Sequence, residues 1–263
     1  MQAELKKIFP VLLIGFALLI SACGVVQRVE EALPTPLPTL TPTSSLTPTA
    51  TIAWFPPTRT ATAFPVVEST PTPDLRSGIG ALMFSDDFSS GADWALAAAD
   101  SASATVANDH LSLAVTAPGV YLFTTRQQPV LSDFYAEATA NVTLCSGADE
   151  YGMLVRLAST GDFYRFTLTC DGRAKVDRVF RGQPNTMADY VRSGLIPATV
   201  PGTVKLGVWA GGDELRFFVN DFYLFSVRDT VLYSGTLGFF VRSQGQTAVT
   251  VRFSDLQVYE VED

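Results

Sequence analysis

The sequence predicts an all-β domain, built as an antiparallel sandwich and carried behind an extended linker. Three observations predict it. Helix periodicity is nearly absent over residues 80–263. In its place, short alternating runs of Val, Phe, Tyr and Leu recur, punctuated by Gly, Asp and Asn. Upstream, from Leu33 to Asp74, the composition turns abruptly to Pro and Thr, and proline both fixes φ and removes backbone donors, so no ladder or helix can form there.

Taken in order, the chain opens with Lys6 and Lys7, an apolar run from Ile8 to Ile20, and the close Ile20-Ser21-Ala22-Cys23. A positive head, a short apolar run and small residues at the close read as a secretory signal peptide over residues 1–22. The last four residues resemble the lipobox of bacterial lipoproteins. That resemblance implies cleavage before Cys23 and a diacylglycerol on its thiol. The alternative is an uncleaved anchor, which needs about 20 apolar residues, more than this run supplies. Either way the remainder faces an extracytoplasmic, oxidising space and meets the membrane through its anchor, since a lipoprotein's several acyl chains hold where one binds only marginally. Residues 23–79 then form a stalk. At about 3.1 Å per residue, its Pro/Thr stretch reaches on the order of 130 Å as polyproline II.

Residues 80–263 make one domain, long enough to bury a sizeable core. Strands are expected near 82–88, 104–107, 110–115, 119–125, 134–144, 151–158, 163–169, 174–180, 204–210, 214–220, 222–228, 235–242 and 247–260. The whole chain carries a formal charge of −8, and removing two lysines and one glutamate with the leader takes it to −9. Nucleic acid and anionic headgroups need a basic patch and are excluded as partners. With Cys23 assigned to lipid, Cys145 and Cys170 remain as an even pair where disulfides persist. A bridge between them would stabilise by about 3 kcal/mol in the chain-entropy model; two buried thiols are the alternative. One histidine and no further cysteine leave no zinc set.

One hairpin can be read in register. A two-residue turn at Thr160-Gly161 sets Leu157 opposite Tyr164 and Arg156 opposite Arg165. Met153, Val155, Leu157, Tyr164, Phe166 and Leu168 then share an apolar face, and Leu154, Arg156, Arg165, Thr167 and Thr169 the other. In the preceding strand Phe134, Ala136, Ala138, Ala140, Val142 and Leu144 alternate with Tyr135, Glu137, Thr139, Asn141 and Thr143. Three neighbouring strands would thus present one apolar and one polar face.

Asp86-Asp87-Phe88 with Trp94, Tyr151-Gly152-Met153-Leu154-Val155-Arg156 and Phe163-Tyr164-Arg165-Phe166 resemble concanavalin A-like jelly rolls. The nearer branch is the laminin-G-like and 3-keto-disaccharide hydrolase-like domains of bacterial exported proteins. Leu215 to Asp221, Gly235-Thr236-Leu237-Gly238 and Val251 to Leu256 fit the same pattern, with Asn220-Asp221 where the family has an Asn-Gly turn. The resemblance covers most of residues 82–260. It implies two stacked, curved antiparallel sheets whose concave polar face, or the loops along its rim, holds sugar in the sugar-binding relatives.

Candidate residues follow. Like charges opposite each other at Arg156 and Arg165 are unfavourable. Either Glu137 on the adjacent strand compensates them, or they form a donor set for sugar hydroxyls or a carboxylate. Trp209 points away from Val204, Leu206 and Val208 together with Lys205; it would stack on a pyranose ring if exposed, or lie under a loop. Tyr135, Tyr190 and Tyr223 are of the same kind, and Asn141 adds hydrogen bonding on the polar face. Asp86, Asp87 and Asp255, near the first and last strands, suit calcium or are solvated turn acids; no other cofactor is indicated. Catalytic machinery is not visible. His110 sits in a turn with no Gly-x-Ser-x-Gly elbow, the Glu-x-Asp-x-x-Glu run of related glucanases is missing, and Asp149-Glu150 and Asp213-Glu214 fall in expected turns. Three readings remain open: a glycan-binding surface lipoprotein without catalysis, a hydrolase of a sugar derivative implied by the resemblance, and an adhesion module for a protein partner.

Overall fold

The computed structural model describes residues 74–245 and 248–262, so the leader, Cys23 and nearly all of the Pro/Thr stretch lie outside the described residues. The chain is an all-β antiparallel jelly-roll sandwich. Its strands begin with β1 (Ile79–Asp86), β2 (Ala97–Ala99), β3 (Ala102–Ala107), β4 (His110–Val115) and β5 (Tyr121–Thr125). The middle of the chain supplies β6 (Phe134–Leu144), β7 (Glu150–Ser159), β8 (Asp162–Thr169), β9 (Arg173–Phe180) and β10 (Gln183–Arg192). The last are β11 (Gly202–Gly211), β12 (Glu214–Val219), β13 (Phe222–Arg228), β14 (Thr236–Arg242) and β15 (Val249–Val261).

Sheet 1 runs β13-β12-β11-β6-β15-β4-β3-β2, with β1 on the C-terminal half of β15; sheet 2 runs β10-β9-β8-β7-β14-β5. The expected alternation along β6 holds over its middle: Phe134, Ala136, Ala138, Ala140 and Val142 are buried, while Glu137, Thr139 and Asn141 are half-exposed. At its ends Leu144, expected inward, is exposed, and Tyr135, on the outer face, is covered. The inner faces meet in one core, where Phe166 packs on Phe217 at 4.9 Å between ring centroids and Phe239 stacks on Phe253 at 4.3 Å. Cys145 and Cys170 form the expected disulfide, their Cα atoms 5.9 Å apart. It ties the end of β6 to the end of β8, where the chain crosses between layers.

Two strands escaped the sequence. β2 is Ala97-Ala98-Ala99, exposed throughout, with no alternation to read. β10 is an edge strand carrying Pro184 and two irregularities in its pairing with β9, and none of its residues is fully buried.

The expected three-strand face is corrected. β6 pairs with β11 and β15 in sheet 1, whereas β7 and β8 belong to sheet 2. Alternation tells which side of a strand is oily; it does not tell which sheet the strand joins.

The hairpin is corrected as well. Its turn at Thr160-Gly161 is present and Ser159 pairs with Asp162, but Val155 pairs with Tyr164 and Leu154 with Arg165. Arg156, Leu157 and Ala158 therefore face the single Phe163, and Arg156 adopts a left-handed φ of 48°. The bulge sends Arg156 inward and Leu157 outward, so Arg156 and Arg165 lie on opposite sides of the sheet. Gly235 closes over this bulge. A Cβ there would meet the backbone of Arg156 and Leu157 at 2.4 Å, which only glycine avoids.

Candidate functional site

Sheet 2 has one face in the core and one face that no further strand covers. Along β8 and β9, Tyr164, Phe166, Leu168, Ala174 and Val176 point inward, so Arg165, Thr167, Lys175 and Asp177 point outward. Cross-strand pairing sets Arg165 beside Asp177 and Thr167 beside Lys175, with Gly152 next to Thr167 and Glu150 next to Thr169. Gly152 leaves the middle of this face without a side chain. A Cβ there would lie 1.9 Å from the Phe166 carbonyl oxygen.

Despite facing outward, these groups are deeply buried. Asp177 and Glu150 are each 1% exposed and Thr167 is fully buried. Arg165 donates from Nη2 to Asp177 Oδ2 at 2.7 Å, Lys175 Nζ lies 3.1 Å from the same oxygen, and Thr186 Oγ1 donates to Asp177 Oδ1 at 2.9 Å. Glu150 accepts from Tyr190 Oη at 2.8 Å and sits 3.8 Å from Lys175 Nζ and 3.7 Å from Arg242 Nη1. The Tyr190 ring lies under the Arg173 and Lys175 cations, at 4.4 and 4.9 Å. Beside this charged half is an apolar half: Leu154, Leu157, Phe163, Val179 and Phe240, with Tyr121 and Phe123 packed against them.

Electrostatics hold the Arg165–Asp177 pair charged. Burial opposes ionisation of Asp177, but the hydrogen bond and charge of Arg165, with Lys175, outweigh it and keep the carboxyl below its ordinary range. Burial likewise acts against the Arg165 cation, and Asp177 overcomes it. The Tyr190 hydroxyl is pushed up, first by burial and then by Glu150. A general acid needs the opposite environment, one that keeps a carboxyl protonated near neutral pH.

Four buried polar atoms on this face make no hydrogen bond of good geometry among the described residues: Tyr121 Oη, Glu150 Oε2, Arg165 Nε and Thr167 Oγ1. Leaving one such group unsatisfied costs about 1–3 kcal/mol. Glu150 Oε2 faces Arg242 Nη1 at 3.7 Å and the Tyr121 hydroxyl adjoins the Arg165 guanidinium, so these atoms have charged neighbours but keep hydrogen-bonding capacity that is only partly met.

Of the residues expected from the sequence, Arg165 is on this face, and Tyr190, one of the additional tyrosines, joins it. Arg156 is not; its guanidinium donates to the Ser132 and Leu232 carbonyl oxygens inside the end of the sandwich. Tyr135, Glu137, Asn141 and Trp209 share the outer face of sheet 1. Glu137 accepts from Tyr135 Oη at 2.9 Å and lies 3.5 Å from Lys205, so it does not compensate the arginines. Trp209 is only 8% exposed, because Leu75 packs on it, its Nε1 donates to the Ser77 carbonyl at 2.9 Å, and the Arg216 guanidinium covers its ring at 4.1 Å. Asn141 accepts from Thr203 Oγ1 at 2.8 Å, and Tyr223 is exposed on β13 near the edge of the sheet.

Asp86, Asp87 and Asp255 are each engaged locally. Asp86 accepts from Phe88 N, Trp94 Nε1 and Arg126 Nε, Asp87 caps Ser89, and Asp255 sits in a bulge of β15 beside Ser254. No group of three or more His, Cys, Asp or Glu placed to hold a metal ion occurs among the described residues.

Glu150, Lys175 and Asp177 were missed as site residues. Glu150 opens β7, where a turn was expected. A signal for the other two existed. Arg173, Lys175 and Asp177 alternate with Ala174 and Val176, which places three charges on one strand face.

No protein-family model matches the sequence, and no curated protein matches it with significance. Solved structures match in fold. The carbohydrate-binding module CBM66 from Bacillus subtilis superposes with a TM-score of 0.51 at 16% identity, over 64% of this chain and 96% of that one. A Bacillus subtilis protein of unknown function with a galectin-like fold gives 0.52 at 11% identity, over 70% and 99%. The catalytic domain of an endo-1,3-β-glucanase (laminarinase) from Thermotoga petrophila RKU-1 gives 0.50 at 10% identity, over 70% and 98%. At these identities the likeness establishes the fold, and one fold here serves both binding and catalysis.

Proposed function

We propose that this protein is an extracytoplasmic lipoprotein, anchored through Cys23, whose jelly roll binds glycan on the outer face of sheet 2 without catalysis. The observation that carries the reading is that Tyr121 Oη, Glu150 Oε2, Arg165 Nε and Thr167 Oγ1 lie on one face, buried and without a well-formed hydrogen bond, beside an apolar half-face. A sugar ring presents the complement: hydroxyls for those atoms and a CH-rich face for Phe163, Phe240 and Tyr121. Lys175, Arg242 and Tyr190 all contact Glu150, so a ligand that reaches Glu150 Oε2 requires one of them to swing aside. Non-catalytic binding is favoured over hydrolysis because both carboxylates are faced by cations and Asp177 is held ionised.

Thr167→Val tests the site with a readout that a structural role would not give. Replacing an unpartnered buried hydroxyl by a methyl leaves folding stability unchanged or slightly raised. Glycan affinity, measured on an oligosaccharide array and by titration calorimetry with the full chain, should nevertheless fall about three- to tenfold, roughly one neutral hydrogen bond. Tyr121→Phe, which removes a second of those hydroxyls, should act in the same direction. Unchanged affinity in both variants would remove the site, and cleavage of a keto-disaccharide panel that Glu150→Gln abolishes would replace binding with hydrolysis. For the anchor, Cys23→Ser should move the protein from the membrane to the soluble fraction; retention at the membrane would refute lipidation.

A further inference from the structure

The outer face of sheet 1 carries a separate feature. Ser112 on β4, Arg252 on β15, Asn141 on β6 and Thr203 on β11 stand in one row across four strands. His110, Asn141, Thr143, Thr203 and Arg252 line an open depression of about 460 Å³, and no carboxylate among the described residues lines it. The neighbouring depression, of about 450 Å³, is different in kind. There Lys205 lies 2.6 Å from Asp221 and 3.5 Å from Glu137, and Arg76 lies 3.0 Å from Asp221. The structure records no hydrogen bond, ion pair or ring contact for the Arg252 side chain among the described residues.

That contrast is informative in a chain of net charge −8, where carboxylates outnumber cations. Around Arg252 both threonine hydroxyls already donate, Thr203 to Asn141 and Thr143 to the Thr250 carbonyl, so they can only accept. The Asn141 amide remains as a donor and His110 Nε2, in the neutral ring, as an acceptor. Asn141 Oδ1 accepts from Thr203, which leaves the amide nitrogen's hydrogens free. His110 Nδ1 is engaged by the Asn108 carbonyl, at 2.5 Å, which leaves Nε2 for a ligand. We propose that this depression binds the acidic group of a saccharide, a uronic carboxylate or a sulfate ester. The Arg252 fork takes the anion in two parallel hydrogen bonds, while Asn141, His110 and the threonine hydroxyls serve the neighbouring sugar hydroxyls. A saccharide suits the site better than a lipid because the lining offers no apolar patch for an acyl chain beyond Val142 and Pro201. The site lies on the opposite sheet from the proposed glycan face, so each stands or falls on its own variants.

The test is calorimetric titration of the full chain with four probes: an oligogalacturonide, the same oligomer fully methyl-esterified, a sulfated disaccharide and inorganic sulfate. At least one acidic saccharide should bind about tenfold more tightly than the esterified oligomer, and more weakly as salt rises. Arg252→Gln, at an exposed position, should lose that tenfold with the melting temperature unchanged, while Lys205→Gln keeps it. The carboxylate and sulfate arms identify the acid. Equal binding of the esterified oligomer, no binding of either acidic saccharide, or an unaffected Arg252→Gln protein would overturn the proposal. Inorganic sulfate binding as tightly as the saccharides would overturn its saccharide part.

Discussion

Arg156→Ala should cost about 3–5 kcal/mol of folding stability, a large part of the margin of a domain this size. The guanidinium is 0% exposed. It donates to Ser132 O at 3.3 and 3.1 Å and to Leu232 O at 3.2 Å, with Asp133 at 3.6 Å. It thereby fastens the loop between β5 and β6 to the loop between β13 and β14. Truncation would orphan two carbonyl oxygens and leave a cavity where the longest buried side chain stood. Arg156→Lys keeps the charge but presents a point rather than a fork, so it should recover only part of the loss. Urea denaturation followed by tryptophan fluorescence measures both. A loss below about 1 kcal/mol for the alanine variant would show that the loops close without the arginine. Glycan affinity of the folded fraction should be unchanged, because Arg156 does not reach either outer face.

Much of this fold was legible. Alternation placed β6 with Phe134, Ala136 and Ala140 inward, the Thr160-Gly161 turn was readable, and the two lone cysteines paired as compartment chemistry suggested. Asn220 and Asp221 both adopt left-handed φ, 49° and 68°, as a tight hairpin turn between β12 and β13 requires. What failed depends on partners distant in sequence. Nothing local to β6 says that it lies between β11 and β15, in a different layer from β7. Nor does an arginine in an alternating run announce a bulge, since the bulge exists because Gly235 and the loop carbonyls wait for it on the other side.

The site was less legible, for a related reason. Trp209 does point away from Leu206 and Val208, but its cover comes from Leu75 and Ser77, more than a hundred residues away. Arg165 was found, with the wrong counter-charge, because Glu137 was assigned to the neighbouring strand and Asp177, two positions beyond Lys175, was not weighed. A charged triplet at period two is as visible as an apolar one. It escapes notice because outward charges are ordinarily solvated, and here Asp177 is not.

Asp177→Ala tests that buried ionic layer and should be the second severe substitution, at about 3–5 kcal/mol. Its carboxylate is nearly inaccessible and pairs with both Arg165 and Lys175, so removal leaves the buried Arg165 without a counter-charge and Lys175 with Glu150 alone, at 3.8 Å. The pH dependence has a definite sign. Because the folded-state carboxyl is held below its ordinary range, its stabilisation is complete above the unfolded-state value, about 4, and is lost as pH falls through the lower folded value. The wild-type chain should therefore lose stability as the pH drops below about 4, and Asp177→Asn should show a flatter slope there. If the asparagine variant keeps the wild-type slope, other carboxylates carry the acid response. Glycan binding gives an independent reading of the same pair. Without Asp177 to fix it, the Arg165 fork loses its orientation, and affinity should fall even at temperatures where the variant remains folded.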